Sequence, residues 1–164
     1  MMSALEAGGL PLVYDQTRAP DVHNPNGYFE DPRVLELERD ASWLSGLEGH
    51  GVKILSHLLP AIPPTVPAKV LLMRRPLPQI MASQDVMLGQ PSAPPGMGQL
   101  IAKDFARKLA WLEEQPHLEH LEVSYPELVA QPLASFARVQ SFLDLPLDVE
   151  AMAATVNPAL HRQR

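Results

Sequence analysis

The stretch Lys69 to Gln84, KVLLMRRPLPQIMASQ, holds two arginines, a proline and a serine in an order that suits anion binding. Lys69 to Met73 is a short continuous apolar run, which reads as a strand covered on both faces. Pro76 suits the first turn of a helix, where its missing N–H would be unpaired in any case. Leu77, Ile80, Met81, Met87 and Leu88 then recur at helical spacing, so the helix begins just after Arg75. Ser83 lies eight positions beyond Arg75, or about two helical turns. The Ser83 hydroxyl and a folded-back Arg75 guanidinium can therefore meet over one phosphate-sized anion. A corner of this kind, at the carboxyl end of a strand, is where open α/β sheets bind ligands. A second chemical signal is Lys53, in the middle of the apolar run Gly51 to Leu55. A lysine there either points at an anion or reaches solvent from an edge strand.

The elements that must hold these residues follow from pattern. Met1 to Ala7 is built of good helix formers and ends at Gly8-Gly9. Leu10 to Tyr14 reads as a buried strand, and Ala19 to Pro32, rich in Pro, Asn, Gly and Asp, as a surface loop. The spacing of Val34, Leu35, Leu37, Trp43 and Leu44 predicts a helix over Pro32 to Leu47. Gly51 to Leu55 is the next strand, and the proline-rich Leu59 to Ala68 leads back to the Lys69 strand. Gly89 to Gly98, again rich in Pro and Gly, is a connecting loop or a lid over an acceptor site. A helix over Gln99 to Gln115 buries Ile101, Phe105, Leu109 and Leu112. A strand over Leu118 to Ser124 follows, then helices begun by Pro132 and capped by Asp148. Strands alternating with helices imply a three-layer α/β domain with a mainly parallel sheet.

Length and composition set limits. The 164 residues suit one domain over 1–164, with a sizeable core. A net charge of −6 argues against a general nucleic-acid-binding protein, although a local anion pocket needs only a few arginines. The absence of cysteine excludes disulfides and thiolate metal sites. No apolar run approaches a membrane span and no export leader is evident, so the expectation is a soluble, cytoplasmic protein without a membrane partner.

Several stretches together resemble the PAPS-dependent sulfotransferases, bacterial type. Arg75 and Ser83, at the end of an apolar strand and on the next helix, are similar to that family's grip on the 3′-phosphate of 3′-phosphoadenosine-5′-phosphosulfate (PAPS). Arg74 is the alternative, one residue out of step. Asn24 to Glu30, NPNGYFE, is similar to an NP-x-GY-[FW]-E segment after the second strand of many members. A carboxylate there would serve as general base, which makes Glu30 the candidate, with Asp21 and His23 as competitors. The plainer role for Glu30 or Asp31 is to cap the helix beginning near Pro32. The Lys53 strand resembles the family's V-K strand, in which lysine contacts the bridging oxygen of the donor. Leu55 stands where the family places a catalytic histidine, and His57 lies two residues further on. Leu121 to Pro132 resembles the strand–Y-E-D-L-x-x-x-P–helix unit, with Tyr125, Glu127, Leu128 and Pro132 matching and Pro126 replacing the usual acid. The basic tail with Arg162 and Arg164 is either a nucleotide contact or a plain solvated end.

The resemblance implies a P-loop NTPase-like sulfotransferase fold and transfer of a sulfuryl group from PAPS to a hydroxyl or amine. The acceptor would be an unidentified small molecule or polymer. Arg75 and Ser83 would bind the donor, Lys53 would neutralise the leaving phosphate, Glu30 would act as base, and no metal would be required. The family's glycine-rich 5′-phosphosulfate loop has no counterpart in the 164 residues. The expectation is therefore an N-terminally truncated form, with a gap in the sheet between the strands of Lys53 and Lys69. A non-catalytic binding protein that has lost the donor loop is the alternative. A metabolite kinase would need a Walker lysine and a magnesium ligand that the sequence lacks.

Overall fold

A computed structural model describes residues 1–15, 27–81 and 97–157. Its architecture is mixed α/β with small parallel sheets. Helix α1 (Met2–Ala7) leads to strand β1 (Leu12–Val13), which pairs in parallel with β2 (Gly51–Val52). Strand β3 (Ala68–Arg74) pairs in parallel with β4 (Leu118–Ser124), in continuous register from Ala68 opposite Leu118 to Arg74 opposite Ser124. Between β3 and β4 run helix α2, described over residues 77–81, and the long α3 (Met97–Glu113). Helices α4 (Tyr125–Ala130), α5 (Pro132–Leu143) and α6 (Val149–Ala154) follow β4.

Side-chain alternation along the strands divides the interior into two cores, as expected of strands covered on both faces. Leu71, Leu121 and Val123 face Phe136, Val139 and Met152 of the C-terminal helices, together with Leu5 of α1 and Leu12 of β1. Val70, Leu72 and Leu118 face Phe105, Leu109 and Leu112 of α3, together with Val34, Leu37, Val52 and Ile54. Both strand pairs thus contribute to both cores. No backbone ladder joins them among the described residues: the strands form two two-stranded sheets in place of one continuous sheet. The break separates the pair that leads to Lys53 from the pair that carries Lys69.

Local chemistry explains most element ends. The Gly8 N–H bonds the Ala4 carbonyl at the end of α1, and Gly9 takes a left-handed φ of +93°. A Cβ on Gly8 would lie 2.6 Å from Met152 Cγ, so glycine lets α6 dock against α1. At the other end of the chain's core, the Lys69 ammonium donates to the Phe142 and Leu143 carbonyls at 2.9 and 3.2 Å. A cation there satisfies the last turn of α5 and complements its dipole. The Asp148 carboxylate accepts from the Ala151 N–H at 2.8 Å and caps α6, as its position predicts.

Two expectations need correction. The helix predicted over Pro32 to Leu47 is instead a pair of short 3₁₀ segments, Pro32–Glu36 and Ser42–Gly46. Between them the Asp40 carboxylate accepts from the Ser42 N–H and hydroxyl at 2.9 and 2.7 Å, a local turn that competes with a continuing helix. The strand predicted over Gly51 to Leu55 pairs only at Gly51 and Val52, because the chain leaves the ladder at Lys53.

Candidate active site

Lys53 and Glu30 are brought together across 23 positions of sequence: the Lys53 ammonium lies 3.0 Å from Glu30 Oε1. It also donates to the Tyr28 carbonyl at 3.0 Å, so two of its three donors are accounted for. Both side chains are partly solvated, 35% exposed for Lys53 and 47% for Glu30. The pair is therefore a partly solvated surface pair and not an ion pair sealed in the core.

Three features of the backbone deliver Glu30 to this point. The Asp15 N–H donates to the Glu30 carbonyl at 2.8 Å and ties the end of the β1 strand to the far side of the loop. Phe29, immediately before Glu30, has a left-handed φ of 51°. Such a backbone is unfavourable by roughly 1–2 kcal/mol for a bulky residue. The strain is held by packing: the Phe29 ring lies against Tyr14 with centroids 4.9 Å apart, and the Tyr14 hydroxyl donates to Glu6 at 2.8 Å. On the other side of Glu30, Asp31 takes the capping role that the sequence left open between the two acids. Its Oδ1 accepts from the Arg33 N–H at 2.9 Å, and its two oxygens take the Arg33 guanidinium at 3.0 and 2.7 Å. The Arg33 hydrogen bonds hold the Asp31 carboxyl below the usual carboxylate range, against the opposing effect of burial. Arg33 in turn lies over the Trp43 ring, 4.3 Å from its centroid. With Asp31 occupied as the cap, Glu30 is left to face the cleft.

That cleft has a volume of roughly 270 Å³ and sits beyond the carboxyl ends of β1 and β2. Asp15, Glu30 and Lys53 form its polar side, and Pro32, Val34, Leu35 and Leu55 its apolar side. Sequence reasoning did not anticipate Asp15, Leu35 or the Tyr28 carbonyl here. An acid directly after the LPLVY run was the available signal for Asp15. Tyr28 contributes its backbone carbonyl, which no sequence pattern marks.

Arg75 stands elsewhere, directly after β3. Its guanidinium lies over the Tyr125 ring, 4.9 Å from the centroid, and its Nε donates to Gln79 at 3.3 Å. Gln79 and Ile80 both donate backbone N–H groups to the Pro76 carbonyl, so the helix does begin just after Arg75. Arg74, the neighbouring alternative, is paired with Glu122 at 2.7 Å. Ser83, Asp21, His23, Arg162, Arg164 and most of the predicted lid, residues 89–96, lie outside the described residues. Among the described residues no three of the acids and histidines cluster as metal ligands, and no helix is long and apolar enough to cross a membrane.

Compared with protein-family models, with curated proteins and with solved structures, the chain matches none of them.

Proposed function

We propose that this chain is a sulfotransferase-like domain in which the Glu30–Lys53 cleft takes the acceptor and the Arg75 corner takes the 3′-phosphate of PAPS. The observation that carries the reading is the 3.0 Å Glu30–Lys53 pair at the carboxyl ends of two parallel strands. In the proposed reaction Glu30 accepts the proton of an acceptor hydroxyl or amine as that group attacks sulfur. The new bond to sulfur forms as the bond from sulfur to the donor's bridging phosphate oxygen breaks. Negative charge then grows on the departing phosphate, and the Lys53 ammonium offsets it. Leu55, where the resembling family has histidine, lines the same cleft, and the Glu30 carboxylate, 3.0 Å from Lys53, takes the place of that base. The finer assignment to a P-loop-like sulfotransferase fold rests on the order of the motifs and gains support from the ladder break between the two strand pairs.

A specific observation favours a second reading: the 164 residues contain no phosphosulfate loop. Loss of one donor from a transition-state site already weakens catalysis by about 3 kcal/mol. On this reading the chain is a non-catalytic binding protein that keeps the fold and one half of the donor site.

Calorimetric titration with 3′-phosphoadenosine-5′-phosphate, alongside Arg75→Ala, decides whether that half is used. Binding that Arg75→Ala abolishes is the expected result. A folded chain that takes up no nucleotide overturns the transferase reading and leaves the binding protein.

A further inference from the structure

We infer that the outer edge of β4 joins β4 of a second copy of this chain, antiparallel and centred on Leu121, so that the two β3–β4 pairs form one continuous sheet. The phase of the ladder decides which backbone groups are open. The Ala68 N–H donates to the His117 carbonyl at 2.9 Å, and Ala68 stands opposite Leu118. The odd-numbered residues of β4 therefore direct their backbone groups at β3, while Leu118, His120, Glu122 and Ser124 direct theirs away from it. The Leu118 N–H is taken by the Gln115 carbonyl at 3.1 Å, and the Ser124 carbonyl starts α4 as its N-cap. The Leu118 carbonyl, both groups of His120 and Glu122, and the Ser124 N–H have no backbone partner among the described residues. Such a row is a template for another strand unless proline, lysine or a bulge blunts it. Leu118–Ser124 contains neither proline nor lysine, and its pairing with β3 runs without interruption. Glu119 is exposed and the Glu122 side chain is 32% exposed, so solvent reaches this edge.

Charge complementarity selects a second copy and fixes the register. Only registers that set outward residues opposite one another complete the ladder, and the side chains choose among them. A centre at Glu122 sets that glutamate against its own copy, a like-charge pair that destabilises a sheet. A centre at His120 stacks two histidines and sets Glu122 against Leu118. A centre at Leu121 sets His120 opposite Glu122 twice, and Leu118 opposite Ser124. His120 shares a strand face with Glu122, whose carboxylate is held by Arg74 at 2.7 Å. An imidazole N–H from the second copy adds another donor to that carboxylate. On the other face Glu119 falls opposite Val123, which Arg138 borders while holding Glu127 at 3.3 Å. Both glutamates of the strand thus meet a donor or a cation of the second copy, which matters for a chain of net charge −6.

Sedimentation equilibrium of the full chain reads the number of copies, and a dimer is expected at about 100 μM. His120→Pro removes an outward N–H that β3 does not use, so the chain should still fold while the dimer weakens at least about tenfold. His120→Glu sets carboxylates face to face across the edge without altering the backbone. It should weaken the dimer about tenfold, and adding Glu122→His should restore it. The chain has no cysteine, so an introduced one reports the register. Leu121→Cys places two thiols at directly opposed positions, with Cα atoms about 4.5 Å apart, and should give a disulfide-linked dimer under oxidised glutathione. Glu119→Cys, which faces Val123 and not its own copy, should not. A single copy at that concentration overturns the inference. So does a dimer that neither His120 variant weakens, or one that a folded Leu121→Cys fails to lock.

Discussion

The two strand pairs carry their candidate residues in opposite ways. Arg75 follows a seven-residue strand with a full parallel ladder and helices at both ends. Its surroundings are regular, and its neighbour Arg74 is spent on Glu122. Glu30 and Lys53 sit beside strands of two residues each, among 3₁₀ turns and a left-handed phenylalanine. Open volume is found on this irregular side. Regular hydrogen bonding makes a frame, but it leaves little backbone free to bend around a ligand. Space and strain gather where the ladder is short.

The largest test of this contrast is Phe136→Ala, which removes a ring that is 0% exposed between the C-terminal helices and the β3–β4 sheet. A loss of about 3–5 kcal/mol in urea unfolding is expected. A loss below about 1 kcal/mol would mean that the regular half is not the frame. Asp31→Ala should have a smaller effect, about 1 kcal/mol, because a cap and an arginine clamp are removed from the cleft wall. Because the Asp31 carboxyl is held low in the folded chain, its contribution is present above its unfolded value of about 3.9 and fades as pH falls below it. Asp31→Ala should flatten that acid limb of the stability profile, while nucleotide binding at Arg75 stays as it was. Smallest of all, Arg74→Ala should change stability by at most about 0.5 kcal/mol, since its ion pair is half-exposed. It should also leave nucleotide binding intact, whereas Arg75→Ala does not. Equal effects of the two substitutions would show that charge alone, and not position, makes the corner.

The same contrast decides what could be read from sequence. The runs Lys69 to Met73 and Leu118 to Ser124, Pro76 before its helix, Gly8-Gly9 and Asp148 each act through neighbours in the chain, and each falls where the pattern puts it. The interval Pro32 to Leu47 misled. Val34 and Leu37 are three apart, a spacing that fits a 3₁₀ turn as well as an α-helix. The Asp40–Ser42 turn was a local competitor that periodicity does not weigh. One mainly parallel sheet was expected from four strand-like runs, five residues long over Gly51 to Leu55, but the length of a ladder depends on partners, and β1 and β2 find each other over two residues only. Glu30 and Lys53 were each legible as chemistry. Their meeting was not, because it depends on the left-handed backbone at Phe29 and on the Asp15–Glu30 hydrogen bond, both set by tertiary packing.

That last bond has a consequence for how the protein can change. By joining residue 15 to residue 30 at 2.8 Å, it fixes both ends of the intervening stretch independently of its length. Doubling the number of residues there would raise the closure entropy by only about 0.6 kcal/mol. A change of length between the anchors is thus cheap in closure entropy, provided that the Tyr28 carbonyl and the Phe29 backbone, which lie inside them, keep Glu30 beside Lys53.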